Sequence, residues 1–135
     1  MARPDYYGNP AGLVDEIEVV KAFYEAFEAR DRERAAELLS DSCELHFEGT
    51  SRLSGRTEPY RGHAGLNEYF DDVQREWEQL VLHAHDFRAV PGSVIVMGHV
   101  TGRREGRDVK RNSIWTWKVA SGLATFVKAA DLGDA

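Results

Sequence analysis

Two side chains that can transfer protons stand out in this sequence. His46 lies between Leu45 and Phe47 in a short alternating segment that predicts a strand. An imidazole has an unperturbed pKa of about 6.5, so it can act as an acid or a base near neutral pH. The alternative is a half-buried histidine that hydrogen-bonds to a backbone carbonyl. We predict His46 as a catalytic residue and keep that alternative open.

Asp131 is a carboxylate that could act together with His46, and it lies at the end of the last predicted strand, in the run Ala130-Asp131-Leu132. If it met His46, the carboxylate would orient the imidazole and raise its pKa. An aspartate at the edge of a strand is also often a cap of a turn. Both roles are open from the sequence alone.

Signals for metal binding and for nucleophilic catalysis are weaker. His83-Ala84-His85 places two imidazoles on one face of a strand, which could bind a metal ion. Two ligands without a clear third make a poor metal site, so we favour a surface pair and predict neither a metal nor a cofactor. Cys43 has no adjacent basic residue, so we predict a small core residue and not a nucleophile.

The composition is typical of one globular domain. The chain has 135 residues, of which 42% are hydrophobic and 30% are charged, and a net charge of −6. This negative charge argues against a nucleic-acid partner, and the basic run at 103–107 is interpreted as a solvated hairpin tip. No apolar stretch approaches the ~20 residues of a membrane span, and the N-terminus lacks a signal-peptide pattern. We therefore expect a cytoplasmic protein without a membrane partner.

Apolar spacing predicts helices followed by strands. Residues 1–9 are expected to form a flexible tail and 10–135 a single domain. The first helix carries an apolar stripe, a second helix is capped by Asp31 and ended by Ser40-Asp41-Ser42, and a third follows Gly62. A loop is predicted at 49–59. The predicted strands cover 44–48, 81–90, 93–104, 108–119 and 123–130.

One strand is apolar on both faces, which has a consequence for assembly. Neighbouring residues in Val94-Ile95-Val96-Met97 are all apolar, whereas antiparallel sheets usually leave one face wet. Three short helices can cover only one side of a sheet. We therefore predict that a second subunit covers part of the other side.

The order of these motifs resembles the SnoaL-like branch of the nuclear transport factor 2-like superfamily, over roughly residues 13 to 132. The resemblance is carried by Phe23-Tyr24-Glu25-Ala26-Phe27 with Asp31, Tyr60-Arg61-Gly62, Trp115-Thr116-Trp117 and Ser121-Gly122. It implies an α+β fold in which three N-terminal helices pack on a strongly curved antiparallel sheet, as a cystatin-like cone. It also implies a ligand site inside the cone and a homodimer formed through the sheet.

Six aromatic residues are expected at inward positions of such a cone and are candidate substrate-binding residues. They are Phe23, Phe27, Phe70, Trp77, Trp115 and Trp117. Small-molecule sites are usually apolar cavities with a few polar groups. The alternative is that these side chains simply fill the core.

The resemblance to the steroid isomerases of the superfamily bears on three positions. His46 falls where those enzymes carry their carboxylate base, and Ser113 falls near their protonated acid. Their oxyanion-binding tyrosine is replaced by Phe23. Because an enolate would lack two strong donors, we do not expect steroid-type isomerisation.

Comparison with related epoxide hydrolases directs attention to the end of the chain. Asp131 resembles the aspartate of the Asp-Leu pair that closes those enzymes. The other two places of their Asp-Arg-Asp set look like His99 and Thr101, so the set is incomplete. His99 and Ser113 are kept as candidate substrate-binding residues. SnoaL-type cyclases use a late-strand aspartate as acid or base, so the resemblance implies that Asp131 is the second catalytic candidate, after His46.

Three functions are therefore carried forward. The first is a SnoaL-like pocket for a small oxygenated hydrophobic molecule, with acid–base catalysis of the cyclase, isomerase or hydrolase type. The second is a non-catalytic small-molecule-binding domain. The third is a dimeric interaction domain whose cone is filled by its own side chains.

Overall fold

The computed structural model describes residues 10–134, so the predicted tail at 1–9 and residue 135 lie outside the described residues. The described part contains four helices and six strands. In chain order they are α1 (Pro10–Glu28), α2 (Arg32–Glu37), β1 (Leu39–His46), α3 (Glu48–Leu53), β2 (Tyr60–Arg61), α4 (Gly62–Glu76), β3 (Gln79–Val90), β4 (Ser93–Arg104), β5 (Arg107–Ala120) and β6 (Leu123–Asp134). Within this range, none of the helices is long and apolar enough to cross a membrane.

The six strands form one curved sheet in the order β2-β1-β6-β5-β4-β3. Strands β3 to β6 follow one another as antiparallel hairpins, but β1 pairs with β6 in parallel. The sheet is therefore mixed, whereas an antiparallel sheet was predicted. A hairpin forces its two strands to run in opposite directions, whereas the long chain between β1 and β6 imposes no such constraint.

Helices α2 and α4 begin where the sequence predicts, for identifiable local reasons. Asp31 caps α2, and its side chain accepts a hydrogen bond from the backbone N–H of Arg34 at 3.0 Å. Gly62 opens α4 with a positive φ of 66°, and a Cβ at this position would collide with the carbonyl oxygen of Asp41. Only glycine meets both requirements without strain.

Two local predictions were wrong. Ser40-Asp41-Ser42 does not end α2 but lies inside β1, whose first residue, Leu39, pairs with Ala124 of β6. The predicted loop at 49–59 contains most of α3. In both places pairing or packing with distant residues overrides a local preference for turns.

The core is formed by aromatic side chains between the helices and the inner face of the sheet, the face that the helices cover. Trp117 is fully buried on β5, and its Nε1–H donates to the hydroxyl oxygen of Tyr24 on α1 at 3.0 Å. Phe23 contacts both rings. Burial raises the pKa of Tyr24 well above its ordinary value, so this hydroxyl group stays neutral. The hydrogen bond therefore joins α1 to the centre of the sheet.

The outer face, which lies opposite the helices, is also partly apolar. Along β4, Val94 and Val96 are fully buried against the inner core. By alternation, Ile95 and Met97 point to the outer face, where Met97 is 38% exposed. The predicted apolar character of both faces is thus present in the structure.

Replacing Tyr24 with phenylalanine tests the bond between α1 and β5. We expect Tyr24→Phe to lower the free energy of unfolding by about 1–3 kcal/mol, because the buried indole N–H of Trp117 loses its acceptor. Urea denaturation measures the change. Trp117→Phe and the double variant complete a mutant cycle, and purely additive losses would contradict a direct coupling.

Candidate ligand cavity and its acid–base pair

A cavity of about 630 Å³ opens on the inner face of the sheet, between α3 and strands β4 to β6. Six residues form its apolar wall: Leu53, Trp77, Val100, Val109, Ala129 and Ala130. Its polar lining includes Glu48, Arg52, Arg111, Ser113 and Asp131. A smaller recess of about 100 Å³ shares Trp77, Ser113 and Ala129 with it and reaches Trp115. An apolar wall with a few polar groups is the usual composition of a small-molecule site.

Trp77 occupies its position in the cavity wall through two contacts. Its indole Nε1–H donates to the hydroxyl oxygen of Thr50 on α3 at 3.2 Å. On the other side lies Gly102 of β4, where a Cβ would approach to 2.7 Å from Cζ3 of the indole. A glycine inside a strand often marks such a close approach. The ring is therefore fixed between α3 and the sheet.

Asp131 reaches the same cavity from β6 and is paired with an arginine. The Nε–H of Arg111 on β5 lies 3.0 and 3.2 Å from the two carboxylate oxygens. The backbone N–H of Gly133 donates to the carboxylate at 2.8 Å. The hydrogen bond from Gly133, assisted by Arg111 and by the charge of Arg52, lowers the pKa of Asp131. Near neutral pH this carboxylate is therefore ionised and can accept a proton but not donate one.

The sequence analysis placed Asp131 at the end of the last strand but missed Arg111. The two positions taken from the epoxide-hydrolase comparison, His99 and Thr101, lie on the outer face of β4 and do not meet Asp131. The actual partner, Arg111, belongs to β5. In the sheet register Asp131 is paired with Ser113, which lies two residues after Arg111 on the same face of β5. Arg111 shares the inner face with Ser113 and Trp115 by strand alternation, and that alternation is a signal the sequence did contain.

His46 lies on the outer face, at the end of β1. The residues directly before and after it, Leu45 and Phe47, are buried in the core. Because consecutive side chains of a strand point to opposite faces, the side chain of His46 points away from the core. There its Nε2 lies 3.1 Å from a carboxylate oxygen of Glu44, and its ring centroid lies 5.1 Å from that of Phe126. The sheet therefore separates His46 from Asp131.

The six aromatic candidates divide between core and cavity. Phe23, Phe27 and Trp117 are at most 1% exposed and pack in the core. Phe70 is also buried and lines a separate cleft of about 390 Å³ that includes Arg30 and Arg32. Trp77 and Trp115 line the cavity and its recess. For most of these rings the structure thus shows packing, and for two it shows a position where a ligand could be contacted.

The chain matches the family model for the SnoaL-like domain over residues 20–127. It belongs to the SnoaL-like family. No curated protein matches it significantly by sequence.

Solved structures share the fold of this SnoaL-like domain. TerC, co-crystallised with polyporic acid, has a TM-score of 0.78 and 24% identity, with 87% of this chain and 91% of TerC covered. An NTF2-like protein from Burkholderia pseudomallei K96243 has a TM-score of 0.78 and 19% identity, with coverage of 87% and 90%. An LEH-like epoxide hydrolase from Mycobacterium tuberculosis has a TM-score of 0.72 and 16% identity, with coverage of 89% and 84%.

The single cysteine of this SnoaL-like domain lies in the core. Cys43 is fully buried on β1, and burial raises the pKa of its thiol to about 12. A thiol in this state is not a nucleophile near neutral pH. Its environment agrees with the small core residue that the sequence predicts.

Replacing Asp131 with asparagine tests the ion pair through its pH dependence. Because the folded-state pKa is lowered, the pair stabilises the fold above the unfolded pKa of about 3.9. That contribution is lost as the pH falls through the folded pKa. We expect Asp131→Asn to lower the free energy of unfolding at pH 7 by less than about 1 kcal/mol, because both side chains are partly exposed.

Urea denaturation of both proteins at neutral and at acid pH measures this difference, which should shrink toward zero in acid. Asp15→Asn, at an exposed position on α1, is the control. The same loss in both variants would contradict a specific role of the pair between Asp131 and Arg111.

Proposed function

We propose that this SnoaL-like domain binds a small oxygenated hydrophobic molecule in the cavity beside Trp77. The observation that carries the proposal is the cavity itself, of about 630 Å³, with an apolar wall and a charged pair at one side. TerC, which has the same fold, was co-crystallised with polyporic acid, and this supports a small-molecule ligand for the present chain.

The lining suggests how such a molecule would be held. Its apolar body would pack on the indole of Trp77 and on Val100 and Ala129, where burial of apolar surface favours binding. Its oxygen atoms would lie toward Arg52 and Ser113. The third function considered from the sequence, a cone filled by its own side chains, has less support, because the cavity measures about 630 Å³.

A second candidate function is acid–base catalysis by Asp131 on the bound molecule. The supporting observation is that Gly133 and Arg111 keep this carboxylate ionised at the cavity wall, ready to accept a proton. The same lowered pKa makes this carboxylate a weak base. Near the position where the steroid isomerases carry a protonated acid, this chain has only the hydroxyl group of Ser113. Binding therefore has the stronger support of the two.

Two further predictions from the sequence complete the proposal. The protein would form a homodimer through the outer face of the sheet, where Ile95 and Met97 leave an apolar strip. It would act in the cytoplasm. Both stay predictions, and light scattering measures the first.

Thermal denaturation with a panel of ketones, epoxides, polyketide-like aromatics and steroids tests the binding function. A ligand present at 100 times its dissociation constant should stabilise the fold by about 2.7 kcal/mol, a rise of several degrees in melting temperature. We expect Trp77→Leu to reduce this rise strongly, because the ligand loses its largest apolar contact.

Each shift is measured against the melting temperature of the same variant without ligand. Phe126→Leu, which changes an aromatic ring on the outer face, is the matched control and should keep the full shift. The binding function would be contradicted if no compound shifted the unaltered protein, or if Trp77→Leu kept the full response.

A ligand found in this way also tests catalysis. If Asp131 is the base, Asp131→Asn should lower kcat/KM by about 10²-fold or more while the ligand-induced thermal shift persists. Product formation is followed by chromatography. Unchanged turnover in Asp131→Asn would contradict the catalytic role and leave the binding function intact.

A further inference from the structure

Three of the five histidines meet on the outer face of the sheet, on the side opposite the cavity. His83 and His85 belong to the edge strand β3, and His99 belongs to the neighbouring strand β4. The ring centroid of His99 lies 4.2 Å from that of His83 and 4.8 Å from that of His85. We call these three residues the histidine cluster.

A bulge in β3 is what brings both of its histidines to a single partner. His83 is paired with His99 in the register, and the register then shifts between Ala84 and Asp86. In a regular strand, residues two positions apart are separated by nearly 7 Å along the strand axis, about 3.4 Å per residue. The extra residue of the bulge bends the strand at this point. The stacked arrangement of the rings of His85 and His99 follows from it.

The ring nitrogens in the histidine cluster are close to one another. Nε2 of His85 lies 2.8 Å from Nδ1 of His99, so one nitrogen donates a proton and the other accepts it. Nε2 of His83 lies 2.8 Å from the hydroxyl oxygen of Thr101. Two imidazole ring nitrogens thus point at the same small volume, with a third imidazole beside them.

We propose that His85 and His99 bind a late transition-metal ion such as Zn²⁺ or Cu²⁺, with His83 as a third ligand once it leaves Thr101. Imidazole nitrogen is a preferred ligand of these ions. Two nitrogens bound to tetrahedral zinc at about 2.0–2.1 Å lie roughly 3.4 Å apart. The observed separation of 2.8 Å must therefore widen by about half an ångström. The shared proton leaves the donating nitrogen and the same ring takes up a proton on its other nitrogen, so that both imidazoles bind the metal in the neutral form.

The site forms by rotation of the rings and is not preformed. Among the described residues, no three histidine, cysteine, aspartate or glutamate side chains already surround a common point. The rings of His83 and His99 are nearly parallel, at 8°, and must tilt before their nitrogens converge. His85 is exposed at the sheet edge, so its ring has room to turn.

Charged groups of both signs lie near the histidine cluster. Lys110 of β5 acts on His99 and repels a cation. On the side of α1, Glu25, Glu28 and Lys21 line a groove that also includes His83 and His85, and their two carboxylates outnumber the one ammonium group. A bound ion would join the edge strand β3 to β4 next to the bulge.

Titration of the tag-free, chelator-treated protein with ZnCl₂ by isothermal calorimetry tests the proposal. We expect one Zn²⁺ per chain, and at least about tenfold weaker binding in His85→Gln and in His99→Gln. His63→Gln is the matched control, because His63 lies at the start of α4 and its Nε2 is bonded to the carbonyl oxygen of Leu39. That variant should bind Zn²⁺ as the unaltered protein does.

A second measurement identifies the ligands. The electron paramagnetic resonance spectrum of the Cu²⁺-loaded protein should show coupling to two or three imidazole nitrogens, and His83→Gln should lower the number if His83 takes part. Circular dichroism of each variant without metal verifies the fold. No saturable Zn²⁺ binding, or equal binding by the double variant His85→Gln/His99→Gln, would overturn the proposal, and an unchanged Cu²⁺ spectrum in His83→Gln would overturn the third ligand.

Discussion

The burial of two indole rings on β5 is the constraint on which the rest of the site depends. Trp115 and Trp117 both point to the inner face, and the hydrogen bond from Trp117 to Tyr24 joins that face to α1. Because side chains alternate along a strand, the same burial directs Ser113 and Arg111 to the inner face. A shift by one residue would expose the indoles and send Arg111 to the other side of the sheet.

The position of β6 in the sheet decides which proton-transfer groups can meet. It lies between β5 and β1, so Asp131 reaches the cavity beside Ser113 and Arg111. On β1, burial of Leu45 fixes the alternation that sends His46 outward. The two candidates from the sequence are thus placed on opposite faces by the same rule.

On each face of the sheet, one local feature of a strand creates a contact that is specific to this protein. On the inner face, Gly102 makes room for the indole of Trp77. Trp77 directly follows Glu76, the last residue of α4, and this places its ring in the cavity wall. On the outer face, the bulge of β3 brings His85 to His99. Neither contact follows from the spacing of residues within one strand.

The sequence by itself determined the family, the helices α1, α2 and α4, and the hairpins from β3 to β6. These depend on periods and turn residues that are local, such as the cap at Asp31 and the glycine at Gly62. Only the tertiary structure decided the parallel pairing of β1 with β6, the helix α3, the partnership of Asp131 with Arg111 and the meeting of His99 with His83 and His85. The physical reason is that hydrophobic periodicity specifies which way a side chain faces, whereas strand neighbours and register are set by contacts between residues far apart in the chain.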